Sequence, residues 1–172
     1  MLLLLTALAT ALDPCSLLDA KAIAAVQGAP PKQTKASEQP DGDFTTSQCF
    51  FTLPDFVKSV SFEVVTPNAG VRAGALRERW SKLSGEEKEA GEREEEEEGR
   101  RPPRQVPGVG RGAVWVGDAR VGALYVLGPT AIVRVSIGGP AEVDAKIKAC
   151  AKLAKNALQH LARARRRAVK GG

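Results

Sequence analysis

His160 is the single histidine of the chain, so a metal centre would need carboxylates and thiols converging on one imidazole, with no ligand-spacing motif beside it. It reads instead as an exposed residue near the end of a helix. No serine lies in a Gly-x-Ser-x-Gly turn, and the base for any nucleophile would again be His160, so hydrolase chemistry is not expected. The acids concentrate in Glu86, Glu87, Glu89, Glu92 and Glu94 to Glu98. That is a solvated run, not a converging carboxylate pair, and it lacks the alternating Asp/Asn ligands and glycine turn of a calcium loop. Solubility or spacing is its default role. Gly108-Val109-Gly110-Arg111-Gly112 could present backbone N–H groups to an anion. A phosphate cradle, however, gains from a helix N-terminus directly after its glycines, and the residues after these glycines are strand-like. The remaining chemistry lies in Arg163, Arg165, Arg166, Arg167 and Lys170, the candidate contacts with an anionic surface at about 1 kcal/mol per basic residue near a charged bilayer. No aromatic interleaves with them, and Ala162, Ala164 and Ala168 add little insertion area, so a solvated tail with weak membrane contact is expected and nucleic acid is not. No catalytic residue, metal ligand or cofactor is expected.

The chain that must position these residues has 172 of them, the usual size of one domain, and its 43% hydrophobic content is that of an ordinary globular protein. With only 5% aromatics, the core is built from Val, Leu, Ile and Ala around Phe50, Phe51, Phe62, Trp115 and Tyr125. The net charge of +5 and pI near 9.3 come from opposed local runs, acidic before Gly99 and basic after Lys146, and so say little about partners.

Residues 1–12, MLLLLTALATAL, are apolar but short of the roughly 20 needed to span a bilayer. With Ala9 and Ala11 as an Ala-x-Ala cleavage pattern, they read as a signal-peptide core without a basic n-region. Export makes the chain extracytoplasmic: periplasmic, cell-envelope or secreted. Cys15 is no lipidation site, because Asp13 and Pro14 stand where a lipobox needs small residues. In an exported chain cysteines are read first as disulfides. Of the three, Cys150 falls on the apolar face of a helix, so Cys15 and Cys49 are paired and Cys150 is a small buried hydrophobe.

Asp13-Pro14-Cys15-Ser16 opens a helix expected over 16–27, ended by Gly28. Residues 29–43, with Pro30, Pro31 and Pro40, read as an exposed loop. Strands follow at 45–53 and 57–66. Pro67-Asn68 opens a second helix, packed through Leu83, and the Glu block and the Pro/Arg-rich stretch 100–107 make a charged connector, with 84–105 expected to be disordered. Runs 113–116, 121–127 and 130–137, separated by Gly117-Asp118 and Gly128-Pro129, form an antiparallel meander in which Val133, Val135 and Ile137 face the core and Arg134 and Ser136 do not. After Gly138-Gly139-Pro140 comes a long amphipathic helix with Val143, Ile147, Cys150, Ala154, Ala157, Leu158 and Leu161 on its apolar stripe and Lys and Arg outside. The order α-β-β-α-β-β-β-α is an α+β fold with a five-stranded, largely antiparallel sheet and helices packed on it. The single domain spans 13–162, followed by a basic tail, 163–172.

Asp13-Pro14-Cys15-Ser16-Leu17-Leu18, Gln48-Cys49, Val106-Pro107-Gly108-Val109-Gly110 and Ala113-Val114-Trp115 together resemble a group of uncharacterised small bacterial exported domains and lipoproteins that open with D-P-C-x-L-L. The resemblance covers nearly all of the chain outside 1–12 and 84–105. It implies an extracytoplasmic domain, a Cys15–Cys49 bridge and no established enzyme activity. The chain departs from the pattern at Arg111, in its Glu-rich insertion and in lacking a lipobox. The α+β layout is also similar in outline to PsbP-like domains. The expected function is that of a non-enzymatic exported module whose partner is an envelope protein or a small ligand. The alternatives are envelope-surface adhesion through the basic C-terminal helix, or an enzyme with a deep polar pocket.

Overall fold

The computed structural model describes residues 12–86 and 102–170, and the expected signal-peptide core and most of the Glu block lie outside these residues. Asp13 accepts a hydrogen bond from Cys15 N–H at 3.0 Å, and with Pro14 behind it starts a 3₁₀ turn over Pro14–Leu17. Leu18 is extended, Asp19 takes the N-cap position without a side-chain capping bond, and helix α1 runs Ala20–Gln27 to Gly28, whose left-handed backbone closes it through an N–H bond to Ala24. The single helix expected over 16–27 is therefore two pieces. The break lets Leu17 and Leu18 both bury while Cys15 reaches the sheet.

The sheet has seven strands rather than the expected five: β1 Gln33–Asp41, β2 Phe44–Thr52, β3 Val60–Pro67, β4 Arg104–Gln105, β5 Gly112–Gly117, β6 Gly122–Leu127 and β7 Ile132–Ile137. Helix α2, Ala75–Ser84, links its halves, and helix α3 spans Val143–Lys170. The spatial order is β1-β2-β3-β7-β6-β5-β4, with every pairing antiparallel. Both additional strands are edges. β1 is exposed along its whole length, so no apolar alternation marks it. It forms because the two-residue Gly42-Asp43 turn places Asp41 opposite Phe44 and the register then continues to Gln33 opposite Thr52. Pro40 and Lys35 suit an edge, where a missing N–H costs nothing and a charge discourages further pairing. β4 is only two residues long, within the stretch expected to be a connector, and pairs with Val114 and Trp115 of β5.

One sheet face carries Cys49, Phe51, Val60, Phe62, Val64, Ala113, Trp115, Leu124, Val126, Val133 and Val135 under the 3₁₀ turn, α1 and α3. The strand period of two sends the neighbours of these residues to the other face. There Trp80 of α2 covers Val114, Leu127 and Ile132. This second helix begins at Ala75, well after the expected opening at Pro67-Asn68, because Pro67 still belongs to β3 and Gly70 and Gly74 have positive φ. Phe50, expected in the core, lies on the outer face of β2 and stays 37% exposed, its ring tilted against that of Phe56 with centroids 6.1 Å apart.

The α3 stripe packs on β6 and β7 as expected, with Leu153 added to it. Lys146 departs from the expected exterior: it is 4% exposed and its ammonium lies 3.5 Å from the Ile137 carbonyl oxygen. Its place on the first turn, facing the end of β7, lets the aliphatic stem bury while the head meets an acceptor. No described helix is long and apolar enough to cross a membrane.

Candidate binding groove beside the C-terminal helix

Helix α3 is longer than the sheet that it covers. From Ala162 on, its described side chains are exposed, so the final turns project past the β6–β7 turn. The chain of that turn approaches the helix closely at Gly128, where a Cβ would sit 2.8 Å from Leu158 Cδ2. Beyond this contact the two elements diverge. Between them opens a groove of about 390 Å³, with Pro129, Thr130 and Ala131 on one side and Leu158, Leu161 and Ala162 on the other. Arg165, Arg166 and Lys170 stand at its outer end. A volume above about 300 Å³ is in the range of small-molecule sites.

A second, shallower groove of about 850 Å³ continues around the helix, sharing Pro129, Thr130, Leu161 and Arg165 with the first. Its far wall is Val71, Arg72 and Leu76 at the start of α2, with Leu12 and Asp13 beside it. Asp13 is already the acceptor for Cys15 N–H, and Arg72 pairs with Glu78.

The basic residues Arg163, Arg165, Arg166, Arg167 and Lys170 are thus turns of α3, all exposed. Arg165, Arg166 and Lys170 line the first groove, whereas Arg163 and Arg167 line neither groove. Sequence reasoning found the charges but not the groove. Its signal was the helical spacing of Leu158, Leu161 and Arg165, where the stripe passes from leucines partly buried against the core to an exposed cation.

Cys15 and Cys49 form a disulfide across a sequence separation of 34, tying the 3₁₀ turn to β2. Cys150 is free and buried, and loss of solvation pushes its thiol up to about 12, so it is not a nucleophile at physiological pH.

His160, read from the sequence as an exposed helix-end side chain, is instead half-buried against α1. Its Nε2 lies 3.0 Å from Asp19 Oδ2, while Asn156 donates to the same oxygen at 2.9 Å and accepts from Asp19 N–H at 3.1 Å. The hydrogen bond from Asn156 and then that of His160 hold the Asp19 carboxyl below its ordinary value of 3.8. A carboxyl so depressed stabilises the fold fully above that ordinary value and loses its contribution as pH falls through the lower folded value. Asp19→Ala is therefore expected to cost less than about 1 kcal/mol near neutrality, the carboxyl being exposed, and progressively less as pH falls below 3.8. Urea titrations at neutral pH and in acid check this, and an equal loss in both would remove the hydrogen-bonded carboxylate as the cause.

On the far sheet face Arg134 donates to Glu63 Oε1 at 3.1 Å and to the Tyr125 hydroxyl at 3.2 Å. Ser136 donates to the Gly122 carbonyl at 2.8 Å. These groups satisfy one another, with no nucleophile set against a base. The Gly108–Gly112 run leads into β5, and Arg111 N–H is taken by the Leu127 carbonyl, which leaves that amide engaged within the fold. Among the described residues no group of three or more His, Cys, Asp and Glu could hold a metal ion. Comparison with models of known protein families, with curated proteins and with solved structures finds no match to this chain.

Proposed function

We propose that this chain is a non-enzymatic extracytoplasmic binding module of the kind that opens with D-P-C-x-L-L, and that its ligand site is the groove between α3 and the β6–β7 turn. The observation that carries this reading is the groove itself, an apolar floor of Leu158, Leu161, Pro129 and Ala131 ending on three cations. An apolar concavity with a few polar groups at one end is what small-ligand sites share. The Cys15–Cys49 bridge is consistent with an oxidising compartment, and the apolar leader expected over residues 1–12 supports export.

The test is native mass spectrometry of the full chain expressed in a bacterial host and recovered from the extracytoplasmic fraction. The expected result is loss of the leader and alkylation of no cysteine in the folded protein. Cys150 alone should react on unfolding and all three after reduction, with the uncharged dye Nile red bound in the groove and displaced by Leu161→Arg. A retained leader, freely alkylated cysteines and no dye binding would overturn the reading.

A second reading, adhesion to an anionic envelope surface, is favoured by the exposed helical run of Arg163, Arg165, Arg166, Arg167 and Lys170. Deleting residues 163–172 without loss of binding to anionic vesicles at low salt would sink it.

A further inference from the structure

We infer that the groove takes one free, single-chain amphiphile with an anionic head, a long-chain carboxylate. This rests on the groove being the ligand site.

Polarity changes in one direction along α3. Leu158, Leu161 and Ala162 are followed at helical spacing by Arg165, Arg166 and Lys170, all six lining the same groove. Side chains three and four residues apart are neighbours, and each step of four drifts about 40° round the axis, so Arg165 follows the leucines on their own face while Arg166 and Lys170 stand progressively to one side of it. At 1.5 Å per residue the strip from Leu158 to Lys170 is about 18 Å long. A ligand lying along it has its apolar part against the leucines and Pro129 and its charged end among the cations. Among the described residues no acid lines this groove, and a guanidinium meets a carboxylate through paired hydrogen bonds that a neutral head cannot form.

The same geometry argues against the other occupants. A stacked base has no aromatic partner among the described residues of the lining. A short anion would leave Leu158 and Leu161 uncovered. An anionic bilayer would need only the cations, and the apolar floor of Leu158, Leu161 and Pro129 explains nothing about such a contact. The groove, about 390 Å³, lies between one helix and one turn.

The experiment measures displacement of Nile red from the full folded protein by dodecanoate below its micellar concentration, by dodecanol, by dodecyltrimethylammonium and by acetate. Dodecanoate is expected to bind at least about tenfold more tightly than dodecanol, a difference of one charged hydrogen-bonded contact, with the ammonium weaker than either and acetate inactive. Arg165→Ala with Arg166→Ala and Lys170→Ala should abolish the preference for the carboxylate while leaving dodecanol affinity in place. Leu161→Asn should weaken both chains together. These side chains are exposed or at the groove, so an unchanged unfolding midpoint confirms that each variant folds. Equal affinity for dodecanoate and dodecanol in the wild type would overturn the anionic head while the groove remained a binding site. Displacement by acetate as effective as by dodecanoate would overturn the acyl chain. Binding to anionic vesicles that survives Leu161→Asn, without binding of free dodecanoate, would overturn the inference in favour of a surface contact. No dye and no chain bound at all would remove the groove, and the function proposed for it, together.

Discussion

Trp80→Ala is expected to lower the stability of the protein by about 3–5 kcal/mol, the range for truncating a buried aromatic. Trp80 is 1% exposed and is the centre of the only cluster that joins α2 to the sheet among the described residues, against Val114, Leu127 and Ile132. Its ring lies so close to β5 that a Cβ on Gly112 would stand 3.2 Å from it, so the indole packs directly on the sheet backbone. The rest of α2 offers little: Leu76 and Leu83 are half-buried, and Arg79 contacts Asp41 and lies 4.8 Å over the Phe44 ring at the surface. The helix should therefore fray locally as well as lose global stability. Urea unfolding gives the magnitude, and amide exchange at 75–84 compared with α3 gives the location. Because Val71 and Leu76 wall the second groove while Leu158 and Leu161 floor the first, dye binding should persist in this variant. A loss below about 1 kcal/mol would mean that α2 is held by something other than this contact.

Cys15→Ala with Cys49→Ala has an effect nearly as large, by a different route. The bridge closes a loop of about 35 residues, which in the chain-entropy model stabilises the fold by about 3–4 kcal/mol, mainly by restricting the unfolded chain. The loop contains α1 and all of β1, two elements with little core of their own. β1 has no buried residue, and Ile23 is the one fully buried residue of α1. At this chain length the melting temperature should fall by roughly 8–15 °C. Amide exchange should speed up first in β1 and α1, ahead of β6 and β7. Loss of the bridge with uniform acceleration across all strands would show that the link stabilises the domain as a whole instead. A second consequence lies at the groove. The 3₁₀ turn held by Cys15 places Leu12 and Asp13 beside the second groove, so that wall should loosen while the Leu158–Lys170 strip is preserved.

Elements with an apolar period were legible from the residues alone. Val60, Phe62 and Val64 alternate with Ser61 and Glu63, and all three are buried. Val133, Val135 and Ile137 alternate with Arg134 and Ser136 in the same way. Ile147, Cys150, Ala154 and Ala157 recur at helical spacing and all face the core. Elements without that period were not legible. β1 alternates nothing because water lies on both of its faces, and β4 is too short to show a pattern. The helix break at Leu18 was hidden for a related reason. Leu17, Ile23 and Val26 keep an apolar rhythm, while the break is marked by the hydrogen bonds of Asp19 to partners 137 and 141 residues away.

The chain by itself determined the α+β class, the buried stripe of α3, the facing of β3 and β7 and the pairing of Cys15 with Cys49, because each depends on local period or on the few cysteines present. Tertiary structure alone decided that β1 and β4 complete the sheet at its edges, since edge strands take their order from a neighbour's hydrogen bonds and not from their own side chains. It also decided the site. Leu158, Leu161 and Arg165 read as an ordinary amphipathic helix end, and they become a groove only because the sheet stops at the Gly128–Pro129 turn while the helix continues to Lys170. A mismatch in length between two packed elements is not a property of either one's residues.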